Sequence, residues 1–81
     1  MKLSETKEMM VSEDYKERFK AEYYQLENRL NGLKSMVEKW DKGELNFKPT
    51  CERDIYTDQI ICMSGYLSVL KVRAEIEKID L

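Results

Sequence analysis

Apolar residues in the first half of the chain fall at Phe19, Tyr23, Leu26, Leu30, Leu33, Val37 and Trp40, a 4-3-4-3-4-3 spacing. At the helical repeat this keeps all seven on one stripe and predicts a helix with a single buried seam. Ser12, followed by Glu13 and Asp14, reads as its N-cap, with acids in the first turn where the helix dipole is positive. Lys39 and Lys42 in the last turn and Gly43 just past it predict an end there, after about thirty residues or ~45 Å. The segment GELNFKPT follows, punctuated by Gly43 and the single proline, Pro49. Leu45 and Phe47 alternate within it and are expected to plug the end of a hairpin. Thr50 reads as the N-cap of a second helix reaching about Ile79, with Glu52 and Asp54 in its opening turn. Its seam, Tyr56, Ile60, Met63, Leu67, Leu70 and Ala74, matches the first as an antiparallel partner. The predicted fold is all-α: an antiparallel helical hairpin at residues 12–81, behind an N-terminal segment at 1–11. In that segment Leu3, Met9, Met10 and Val11 suit a short amphipathic helical turn.

The second helix carries more apolar surface than one partner covers. Ile55, Cys62, Tyr66, Val69 and Ile76 make an adjoining stripe about 100° round from the seam. Two helices cannot enclose it, and an uncovered apolar strip marks a subunit contact. We therefore expect a homo-oligomeric bundle with Ile55, Cys62, Val69 and Ile76 at the contact.

Composition narrows the chemistry. In 81 residues there are 14 Lys+Arg against 16 Asp+Glu, a net charge of -2, which argues against a DNA- or RNA-binding module held by phosphate neutralisation. Histidine is absent, so the commonest general base and metal ligand is missing. The carboxylates lie on helix surfaces without a cleft to perturb them, so no catalytic residue is assigned and the reading is not an enzyme. Cys51 and Cys62 lie eleven apart with no histidine, too few for a zinc set and wrongly spaced for a redox pair. Cys62 on its stripe reads as a small buried hydrophobe. No metal and no cofactor is expected. The charged N-terminus lacks a secretory apolar region, and no run approaches the ~20 apolar residues that span a bilayer, so a cytoplasmic protein without membrane contact is expected.

Among polar positions, Gln59, Tyr66 and Arg73 recur at intervals of seven and share one edge of the second helix. Arg73 can snorkel there while Gln59 hydrogen-bonds across a subunit contact. Alternatively, an arginine able to grip phosphate stands near tyrosines able to stack on a base, a set suited to a nucleotide-like anion. Of the five tyrosines, Tyr23 and Tyr56 fit the core with their hydroxyls at its rim, whereas Tyr15 and Tyr24 lie off the seam and are free to meet a ligand or a second subunit. Lys16 and Lys20 are interleaved with Glu13, Glu17 and Glu22, which suits a salt-bridged surface or a ligand contact lent to a neighbouring subunit.

The runs YKERFKAEYYQLENRLNGLKSM, LNFKPTC and MSGYLSVLKVRAEIEKIDL resemble small helical-hairpin proteins of phages and prophages in Gram-positive and gut anaerobic bacteria. More distantly, a long helix, a short break and a final helix reading Gln59, Met63, Tyr66, Leu70 and Arg73 resemble the phage hairpin sponges that sequester signals of CBASS or Thoeris immunity. That resemblance implies a non-enzymatic, oligomeric binder of a cyclic nucleotide or cyclic ADP-ribose-type messenger in the host cytoplasm. The ligand set expected on it is Arg73, Tyr66 and Gln59, with Tyr15, Tyr24, Lys16 and Lys20 from a neighbouring subunit. The rival reading is a protein-protein module, an inhibitor of a host protein or a small phage scaffold, that docks through the same apolar strip.

Overall fold

The computed structural model describes all of residues 1–81 and contains helices and no strand. A 3-10 turn, Leu3–Thr6, runs into a one-turn helix α1, Lys7–Met10; two long helices follow, α2 at Tyr15–Asp41 and α3 at Arg53–Glu77. Bonds from Tyr15 to Glu77, Glu22 to Tyr66 and Asp41 to Arg53 run from opposite ends of the two helices, so α2 and α3 are antiparallel.

Helix ends differ from the expected caps. Asp14, not Ser12, is the N-cap of α2: its backbone is extended and its carboxylate accepts the Lys16 N–H at 3.0 Å. Both residues are competent caps. Ser12 is spent one step earlier, its Oγ accepting the Asp14 N–H at 3.1 Å. The predicted end at Gly43 is observed. Gly43 takes φ 71°, its N–H donates to the Trp40 carbonyl at 3.0 Å, and the Glu44 N–H donates to Lys39 at 2.9 Å. This is the paired-bond stop that a left-handed residue permits.

Helix α3 starts at Arg53 rather than after Thr50, with Glu52 at the N-cap position and no side-chain capping bond. Arg53 is fastened across the hairpin tip, its Nε and Nη2 donating to the two Asp41 carboxylate oxygens at 3.0 and 3.1 Å, and the helix begins where that clamp fixes the chain. Hydrogen bonding from Arg53 holds the Asp41 carboxyl below the ordinary aspartate range. A lowered pKa adds stability above the ordinary value that is lost as pH falls through the lowered one. Arg53→Ala is expected to return Asp41 to the ordinary range in a carboxyl NMR titration and to flatten this part of the acid dependence.

The far end of α3 is Glu77, not Ile79. Lys78 adopts φ 57°, ψ 45°, and the Ile79 N–H donates back to the Ala74 carbonyl at 2.8 Å. The reversal folds Ile79 into the core beside Ala74, the apolar contact typical of such ends. A side chain in the left-handed region costs about 1 kcal/mol that glycine avoids. Lys78→Gly is therefore expected to stabilise the fold by about 1 kcal/mol, raising the melting temperature by roughly 4–8 °C in a thermal scan.

The seam of α2 faces α3 as expected. Phe19, Tyr23 and Leu26 form one buried cluster with Leu70, Ala74 and Ile79, flanked by Met63 and Leu67. Leu30 and Val37 are buried further along, and Trp40 meets Tyr56 edge-on at 5.8 Å near the tip. Leu45 is half-buried at the tip, whereas Phe47, expected as part of the plug, is 56 % exposed. The short loop turns its ring outward.

The N-terminal segment lies on the back of α2. Thr6 is fully buried, its hydroxyl donating to the Leu3 carbonyl at 2.6 Å and accepting from Gln25 Nε2 at 3.0 Å. Asn28 donates to the Met1 carbonyl at 3.0 Å, and Arg18 Nη1 donates to the Ser12 and Glu13 carbonyls at 2.8 and 2.9 Å. Gln25 and Asn28 share a helical face with Ala21, which is buried in turn. So α2 is covered on both sides, by α3 and by this segment. Nothing in the chain covers the outer side of α3.

Candidate functional site

Where the start of α2 meets the end of α3, three side chains close a ring. Tyr15 Oη donates to Glu77 Oε1 at 2.7 Å and accepts from Arg73 Nη2 at 2.8 Å, while Arg73 Nε donates to Glu77 Oε2 at 3.2 Å. The Arg73 guanidinium also lies 5.0 Å from the Phe19 ring centre, within cation–π range. Donation to the Glu77 carboxylate raises the Tyr15 pKa above the ordinary tyrosine value, and the nearby Arg73 charge pulls the other way. The phenol stays protonated at neutral pH.

This ring orients Arg73 without using it up. A guanidinium has five N–H donors, and only two of them find partners in the chain. Two turns back along the same edge, the Tyr66 hydroxyl donates to Glu22, and the residue is 46 % exposed. Two turns further, Gln59 is exposed and forms no side-chain hydrogen bond. Seven residues separate each of these positions, so Tyr66 and Arg73 stand ~10 Å apart along α3.

The structure thus brings Tyr15, Tyr66 and Arg73 to one edge of the hairpin. Tyr15, expected from a neighbouring subunit, is instead supplied by the same chain, because antiparallel pairing sets the start of α2 against the end of α3. Tyr24, Lys16 and Lys20 are not brought there. The helical repeat puts them along the opposite edge of α2. Tyr24 is half-buried there against the core, edge-on to Tyr23 at 5.2 Å, and Lys20 pairs loosely with Glu17 at 4.0 Å. Tyr23 is in the core as expected, its hydroxyl donating to Glu27 at 3.0 Å; burial first, then that bond, raises its pKa.

Sequence reasoning missed Glu22, Glu77 and Phe19 as partners of this edge. The signal was present: Glu22 lies seven residues after Tyr15, as Tyr66 lies seven before Arg73, and an antiparallel register sets the two pairs face to face. It also missed two members of the outer strip. Ile61 and Val72 join Ile55, Val69 and Ile76, all 53–75 % exposed, and Cys62, expected to be buried, is exposed with them. With these included, the strip centres roughly 150° from the buried seam, close to the direct outer face of α3.

In one chain the edge is open. Two surface clefts, of about 460 and 410 Å³, both lie at the hairpin tip around Leu45 and Phe47, and neither includes Gln59, Tyr66 or Arg73. No group of three or more Cys, Asp or Glu is placed to hold a metal ion. No helix is long and apolar enough to cross a membrane.

Comparison with known proteins adds a family. No curated protein and no solved structure matches the chain. The Sequestin family model matches residues 13–76, a span holding nearly all of both long helices and every residue of the edge described above except Glu77. That span exceeds half of the chain, and the protein belongs to the Sequestin family.

Proposed function

We propose that the protein is a phage-encoded counter-defence protein that binds a cyclic nucleotide or cyclic ADP-ribose-type immune messenger and sequesters it without turning it over. The family name is that of a sequestering protein, which fits a binding role over a catalytic one. The observation that carries the reading is the held guanidinium. Arg73 is fixed by Tyr15 and Glu77 with three N–H donors unpartnered, and the exposed Tyr66 ring stands on the same edge. A planar fork of free donors suits a phosphate, and the exposed ring two turns along the same edge suits a stacking base. Gln59 extends the row as a polar contact. Lys16, Lys20 and Tyr24, on the far edge of α2, reach such a ligand only from another copy. The protein works as a homo-oligomer in this reading, with Ile55, Cys62, Val69 and Ile76 at the contact.

Native mass spectrometry of the protein, alone and with a panel of cyclic oligonucleotides and cyclic ADP-ribose isomers, tests the reading. A discrete oligomer that gains ligand mass in whole-number steps is expected. Indifference to the whole panel would overturn it. The second reading, a module that covers a host protein, is favoured by the exposed strip on α3, and a monomer indifferent to the panel would shift the weight to it.

A further inference from the structure

We infer that the outer face of α3 pairs with the same face of a second copy, antiparallel, across a two-fold axis near Gly65. This deepens the reading above: it rests on that reading for the ligand but not for the pairing itself.

The chain exposes 6014 Å² at a mass of 9.7 kDa. A compact monomer of that mass exposes ~5,100 Å², so the excess is about 900 Å². A stable interface covers about 800 Å² on each partner. The radius of gyration, 15.0 Å, exceeds the roughly 12 Å of a compact chain this long, and only 10 of 81 residues are buried.

The excess is localised. Ile55, Cys62, Val69 and Ile76 recur every seven residues along α3, and Ile61, Gly65, Ser68 and Val72 fill the positions between them. That is the repeat of a helix made to pack on another helix. Gly65 sits mid-helix at a cost of about 1 kcal/mol relative to alanine. A Cβ built on it meets nothing within 4 Å, so the chain itself gives the glycine no packing reason. Glycine at a crossing point lets two backbones approach closely.

Charge selects the orientation. The first half of the face carries Asp54 and Asp58, neither in an ion pair, and the second half carries Arg73 at its edge. Parallel pairing would set Asp58, near the middle of the face, level with and against Asp58 of the partner subunit. Antiparallel pairing moves the two aspartates roughly 20 Å apart and sets each within about a turn of the opposite Arg73. Antiparallel helix dipoles agree with this choice.

The pairing has a consequence for the ligand edge. In an antiparallel pair, equivalent edges of the two helices face one another. The Gln59, Tyr66 and Arg73 rows of the two copies then line one cleft, the tyrosines near the axis and an arginine towards each end. An edge that is open in one chain becomes walled by two.

Sedimentation velocity and circular dichroism test the pairing without any ligand. The wild-type protein is expected to sediment at a multiple of 9.7 kDa built on the pair. Val69→Glu, at a site 57 % exposed, is expected to give a folded monomer with dimer affinity reduced at least ~100-fold. A monomeric wild type, or a Val69→Glu protein that remains dimeric, would overturn the pairing. Orientation is read in a Cys51→Ser, Cys62→Ser background with a short thiol cross-linker. Ile55→Cys mixed with Ile76→Cys should cross-link as a heterodimer; self-linking of Ile55→Cys alone would show parallel chains and overturn the proposal. A dimer that ignores every nucleotide leaves the pairing standing and removes the sponge reading. A monomer that binds one does the reverse.

Discussion

Leu70→Ala is expected to destabilise the protein by about 3 kcal/mol, the largest stability loss of any single truncation on α3. Leu70 is 0 % exposed and sits at the centre of the cluster that joins Phe19, Tyr23 and Leu26 to Ala74 and Ile79. Truncating a buried leucine loses its transfer free energy and leaves a cavity, together about 2–5 kcal/mol. The hairpin has little reserve, since domains of this size hold ~5 kcal/mol or a little more in total. The neighbouring chain ends magnify the effect, because the Ile79 turn packs on the same cluster. Urea unfolding of wild type and variant checks this; a change below about 1 kcal/mol would mean that the cluster does not hold the helices together. Val11→Ala, at a valine 74 % exposed and off the α3 face, serves as the control and is expected to change stability little.

Arg73→Ala is expected to weaken messenger binding roughly 100-fold or more while leaving the melting temperature nearly unchanged. All of its bonds to Tyr15 and Glu77 are solvent-exposed, and exposed ion pairs add little to stability. Its value to a ligand is larger, because a fixed guanidinium grips phosphate with two parallel bonds. Arg73→Lys keeps the charge and loses the fork, so its affinity should fall between the two. Tyr66→Phe should bind almost as wild type and Tyr66→Ala should not, since a stacking ring matters more than its hydroxyl. Isothermal titration with the captured messenger reads all four. If Arg73→Ala lowers the melting temperature and leaves affinity intact, the arginine is a strut between α2 and α3 and the site lies elsewhere.

Much of this fold is legible in the residues, and the reasons are physical. A 4-3 repeat sustained over seven positions on α2 and six on α3 has only one helical solution, so both seams were readable from Phe19 to Trp40 and from Tyr56 to Ala74. Cap positions were harder. Ser12 and Asp14 stand two apart with equal capping ability, and only the bond from the Asp14 N–H to Ser12 decides between them. Thr50 lost its expected role to a tertiary contact, the Asp41–Arg53 clamp, which no local pattern announces. The turn at Lys78 hid for a related reason: lysine rarely adopts a left-handed backbone, and the benefit comes from burying Ile79. The docking of residues 1–10 depends on single polar contacts from Thr6, Gln25 and Asn28, too sparse to leave a period.

The candidate edge was half legible. The heptad spacing of Gln59, Tyr66 and Arg73 fixed a common row on α3. What lies across from that row depends on the register between helices, so Tyr15 was assigned to another subunit and Glu22 and Glu77 were overlooked. The outer strip was read too narrowly because Ile61 and Val72 lie on the side of it away from Tyr66. Adding them turns a stripe beside the seam into a face nearly opposite to it.

In the proposed function the protein hides a messenger without altering it. The most direct measurement incubates excess protein with the messenger captured in the nucleotide panel, assays the free fraction, then heat-denatures the protein and quantifies what is released by chromatography. Sequestration predicts a free fraction that falls in proportion to binding sites and full recovery of intact messenger after denaturation. Disappearance of intact messenger with a cleaved product in its place would contradict it.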